Sequence, residues 1–70
     1  MAEGQLPEPV RIVLRHIAEE GGSTTVGSLS KHEDVHDVLG RGFYVEDLVY
    51  DLAHAGYIDY DPLTGEVRAL

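Results

Sequence analysis

Early in the chain the apolar residues Val10, Val13, Leu14 and Ile17 fall at i, i+3, i+4 and i+7, the recurrence that places side chains on one face of a helix. The spacing predicts an amphipathic helix over residues 7–20. A proline at 7 or 9 suits its first turn, where a missing N–H costs nothing, and Gly21-Gly22 supplies a left-handed exit. Arg11 and Arg15 lie on its flank, with Glu8 three residues before the first and Glu19 four after the second, the spacing of solvated ion pairs. Ile12 points off the stripe. Next, the β-branched and hydroxyl-bearing run Ser23-Thr24-Thr25-Val26 can serve as a short strand, as an N-cap, or as both.

A short second helix is predicted over residues 27–32, with Val26 and Leu29 inward. Val35, Val38 and Leu39 continue an apolar rhythm until Gly40-Arg41-Gly42 breaks it, and this pattern leaves open whether residues 33–39 extend the helix or form a separate turn. The strongest helical signal spans residues 44–55, where Val45, Leu48, Val49 and Leu52 form the inward stripe and Gly56 ends it. The other side holds Tyr44, Glu46, Asp47, Tyr50, Asp51 and His54. Residues 57–60 and 66–70 read as paired strands, and the intervening Asp61-Pro62-Leu63-Thr64-Gly65 has turn residues where a tight hairpin needs them. The expected core is Val10, Val13, Leu14, Ile17, Leu29, Leu39, Phe43, Val45, Leu48, Val49, Leu52, Ile58 and Val67, and residues 1–6 are expected to form a flexible N-terminal arm.

Composition narrows the class. The chain has 70 residues, 43% of them apolar, so one small core is the limit, and homodimerisation is a natural source of further stability. The absence of cysteine excludes a disulfide framework and a thiolate metal site. With no basic, apolar leader and no long apolar run, the expectation is a cytoplasmic protein with no membrane contact. Thirteen Asp and Glu against five Lys and Arg give a net charge of −8, which removes the ordinary electrostatic basis for binding a phosphate backbone.

The run from Val45 to Arg68, with Ala-Gly-Tyr-Ile leaving the helix and Tyr-Asp-Pro-Leu-Thr-Gly-Glu-Val-Arg forming the hairpin, resembles the third helix and wing of winged helix-turn-helix domains. It is most similar to the small acidic winged-helix proteins of halophilic archaea. With the first helix included, the resemblance spans nearly all of residues 7–70 and implies an α+β fold of three helices with a C-terminal two-stranded β-hairpin wing. It also implies transcriptional regulation, with the third helix in the major groove and the wing on the adjacent backbone. Carried over, the contacts are Tyr44, Glu46, Asp47, Tyr50, Asp51 and His54 on the helix and Arg68 on the wing, with Lys31 and Arg41 as further cations. Three carboxylates on the reading helix depart from the family's pattern, because they repel phosphate. Two expectations follow: a DNA-associated regulator working in high salt, or an acidic winged-helix module that binds a basic protein and not DNA.

His32-Glu33-Asp34-Val35-His36 is a literal H-E-x-x-H, the spacing that puts two imidazoles on one helical face of a zinc protease. Asp at the third position, the lack of a third ligand at suitable spacing and the small size of the chain argue against an enzyme. The string is expected to be a solvated polar stretch, its histidine pair at most an adventitious zinc or nickel ligand. No cofactor, metal or catalytic residue is expected.

Overall fold

The first predicted helix forms over Glu8–Glu19 (α1) in a computed structural model, which describes residues 6–40 and 42–70. It is followed by β1 (Ser23–Thr25), α2 (Val26–Leu29), α3 (Glu33–Leu39), α4 (Val45–His54), β2 (Ile58–Asp61) and β3 (Glu66–Ala69). Helix α1 buries Val10, Val13 and Ile17. It closes as a glycine-terminated helix should: the N–H of Gly22 donates to Ile17 O at 2.9 Å and that of Gly21 to Ala18 O at 3.2 Å, with Gly21 at φ 89°. The same closure ends α4, where Tyr57 N–H donates to Leu52 O at 3.0 Å across Gly56.

The three strands form one antiparallel sheet in the order β1-β3-β2. Val67 lies opposite Thr24 on one side and Tyr60 on the other, and is fully buried. Its hairpin has the expected turn: Asp61 Oδ1 accepts from Leu63 N–H at 3.0 Å, Asp61 O accepts from Gly65 N–H at 2.8 Å, and Gly65 has φ 80°. Thr25 ends β1 and also caps α2, its Oγ1 accepting from Ser28 N–H at 3.0 Å, so the hydroxyl-rich run serves as strand and cap together.

The architecture corrects the count of three helices and a two-stranded hairpin. Residues 33–39 are a helix of their own, because His32 is extended (φ −96°, ψ 125°) and separates them from α2. Glu33 and Asp34 favour the new N-terminus, Gly40 at φ 77° ends it, and Val35 anchors it, fully buried in the core. The hairpin gains a third strand because β1 pairs antiparallel with the edge of β3 that β2 leaves open.

The core unites Val10, Val13, Ile17, Leu29, Val35, Val45, Val49, Leu52, Ile58 and Val67. Leu14, Leu39 and Leu48 pack on its margin, as do Leu6 and Ile12. Phe43 is not a core residue: it is 64% exposed, because α4 begins only at Val45 after an extended Tyr44, which leaves Phe43 off the helical stripe. Among the described residues no helix is long and apolar enough to cross a membrane. The expected arm lies outside the described residues except for Leu6.

Candidate functional site

Helix α4 separates its two faces sharply. Val45, Val49 and Leu52 are buried, whereas Glu46, Asp47, Tyr50, Asp51 and His54 are exposed. Tyr44, the N-cap residue, is 74% exposed and makes no side-chain cap bond. With Phe43 beside it, this end of the helix presents aromatic surface next to carboxylates.

Part of that surface is ordered from below by β2. Tyr60 donates its hydroxyl to Glu46 Oε2 at 3.2 Å and meets Tyr50 edge-on, with ring centroids 5.1 Å apart and planes at 83°. Desolvation, reinforced by the Glu46 carboxylate, pushes the Tyr60 phenol above its ordinary value. Tyr50 is thereby held while remaining 49% exposed.

The cations are placed elsewhere. Strand alternation turns Arg68 to the sheet face opposite buried Val67, away from the core side on which α4 packs. There its Nη2 lies 2.9 Å from Asp59 Oδ2 and its Nε 3.6 Å from Glu66 Oε1, so the hairpin's arginine is paired with the hairpin's own carboxylates. Arg15 pairs with Asp34, not with Glu19 as its helical spacing predicts. Lys31 is exposed in the turn after α2. Arg41 lies outside the described residues. The structure thus gathers the acidic and aromatic candidates on α4 and leaves Arg68 out of that group.

The H-E-x-x-H string does not act as a helical histidine pair. His32 precedes α3, while His36 lies within it and bonds the carbonyl of Ser30. His32 instead stacks on His16 of α1, centroids 3.9 Å apart and planes 18° from parallel. His16 is buried, with Nε2 2.9 and 3.0 Å from the two oxygens of Asp34. That bond to His16 holds the Asp34 carboxyl below its ordinary value. Beside it, Glu20 accepts hydroxyl bonds from Thr24 at 2.8 Å and Ser28 at 3.0 Å, which lower its value likewise. The apolar pattern does not single out His16; the available signal was its place three residues after Val13, on the edge of the buried stripe.

Comparison with protein-family models, curated proteins and solved structures finds no match to the chain.

Proposed function

We propose that the chain is a non-catalytic winged-helix module whose α4 face recognises a basic protein partner. The order of elements, with a hairpin returning beside the short strand that follows the first helix, supports the winged-helix reading; α3 is then an insertion ahead of the reading helix. The observation that carries the function is the outward face of α4. Glu46, Asp47 and Asp51 share that exposed face with Tyr50 and adjoin Tyr44, while the wing's Arg68 is paired with Asp59 and Glu66. Exposed aromatics are effective anchors, and a surrounding ring of carboxylates selects a cationic surface and rejects a polyanion. A DNA-associated transcriptional regulator is the second reading, favoured by the same element order and by the exposed Lys31.

Fluorescence anisotropy separates the two. The interaction module binds labelled peptides rich in Lys and Arg with apolar anchors, and Tyr50→Ala weakens that binding by about 2 kcal/mol or more. The same protein leaves mixed-sequence duplex DNA unbound at low and at molar KCl. Duplex binding that disappears in Lys31→Ala and Arg68→Ala, with no peptide bound, would replace the module reading by the regulator.

A further inference from the structure

We infer that His16, His32 and Asp34 form a site for one divalent transition-metal ion of the zinc, cobalt and nickel class. One ligand atom from each of the three lies within 4.8 Å of the others. Ligands about 2.0–2.1 Å from a tetrahedral metal stand about 3.3 Å from one another, so the geometry is completed when His32, stacked face to face on His16 with ring centroids 3.9 Å apart, turns out of the stack to aim a nitrogen at the ion. His16, buried in α1, is the fixed member, whereas His32 and Asp34 are half-exposed and free to close on it. The direct Nε2 to carboxylate contact of 2.9 Å has to widen by about 0.4 Å to admit the ion. Metal there replaces the shared hydrogen-bond proton, which leaves to solvent.

The donor set selects the ion. Two imidazoles and one carboxylate, without thiolate, suit zinc, cobalt or nickel; calcium and magnesium seek all-oxygen shells. The surroundings are those of an outer shell as well. Glu19 Oε1 lies 3.4 Å from His16 Nδ1, placed to orient the ring, and Glu20 Oε2 lies 3.9 Å from His32 Nε2 while two hydroxyls hold it in position. Arg15, on Asp34 Oδ2, opposes a bound cation and leaves Oδ1 as the oxygen for the metal. The ligands come from α1, from the last of the three residues between α2 and α3, and from the first turn of α3, so the ion would clamp α3 to α1.

The test uses the whole chain, stripped with a chelator and titrated with cobalt chloride and zinc chloride in a non-coordinating buffer at neutral pH. Calorimetry and the visible absorbance of cobalt should give one ion per chain, with cobalt displaced by zinc and Tm raised by either. His32→Gln and Asp34→Asn, verified as folded by circular dichroism, should each weaken binding by about 10-fold or more. Arg15→Gln should tighten it, which a purely structural network does not predict, and His36→Gln should leave it unchanged. Absence of saturable binding overturns the proposal. So does binding that survives both His32→Gln and Asp34→Asn, or binding lost in His36→Gln, which would return the ion to the i, i+4 pair.

Discussion

Raising the salt concentration should stabilise this protein by a predictable amount. Glu3 and Arg41, the charged residues outside the described ones, cancel, so the described part carries the same net charge of −8 as the chain. The Cα radius of gyration is 11.0 Å, which corresponds to a sphere of about 14 Å radius when its mass is spread evenly. On that sphere the charges repel one another by about 4 kcal/mol at about 0.1 M salt, and by about 1.6 kcal/mol at about 1 M, where the Debye length has shrunk from about 10 to about 3 Å. The unfolded chain, with a radius of gyration of about 26 Å, retains only about 1 and 0.3 kcal/mol of repulsion under the same two conditions. Folding therefore gains about 1.7 kcal/mol across this range, and Tm rises by about 7–14 °C. Thermal unfolding followed by circular dichroism in KCl measures it. The triple variant Glu46→Gln/Asp47→Asn/Asp51→Asn lowers the net charge to about −5, and because repulsion scales with the square of charge its salt response falls to about two-fifths. A wild-type Tm that stays flat between the two salts, or a triple variant with the wild-type slope, would refute the reasoning.

Two other outcomes follow from the packing and the site. Val35 is the fully buried residue of α3, and Val35→Ala removes two buried carbons at about 0.8 kcal/mol each plus a cavity term, about 2 kcal/mol in all. Urea unfolding should show this as a lower midpoint at unchanged slope; a loss below about 0.5 kcal/mol would mean that α3 does not seal the core. Tyr60 binds its proton more tightly in the folded chain than in the unfolded one, so its contribution to stability is complete below the ordinary phenol value of 10.0 and lost as pH rises above it. Ultraviolet titration of wild type against Tyr60→Phe should isolate a phenol ionising above that value, and Glu46→Gln should bring it down; an unmoved midpoint would show that Glu46 does not act on Tyr60.

Much of the fold was legible because periodicity and turn chemistry are local. The stripe of α1, the inward set of α4, the Asp-Pro-Leu-Thr-Gly turn and the glycine exits each follow from residues within a few positions of one another. So does the outward face of α4, since burying Val45, Val49 and Leu52 obliges Glu46, Asp47, Tyr50 and Asp51 to face water. Residues 33–39 were ambiguous for a physical reason. With only Val35, Val38 and Leu39 as apolar markers, the segment is too short to declare a helix, and it becomes one by seating Val35 in a core built by other elements. Phe43 misled in the opposite sense: its apolar character suits a core, but a residue set before the extended Tyr44 does not share the helix's inward face.

The sequence by itself determined most of the helices and strands, the acidity of α4 and the net charge, because these depend on neighbours in the chain; α3 is the exception, a helix that forms on a core supplied by other elements. The tertiary structure alone decided which charges meet. Asp34 took Arg15 and His16 from α1, Asp59 and Glu66 took Arg68 across and along the sheet, and His32 left its sequence partner His36 to stack on His16. The pairings between α1 and the region of α3 span up to 19 residues, beyond the reach of any local spacing rule. They arise because burying the apolar faces of α1 and α3 against one core brings their polar edges together.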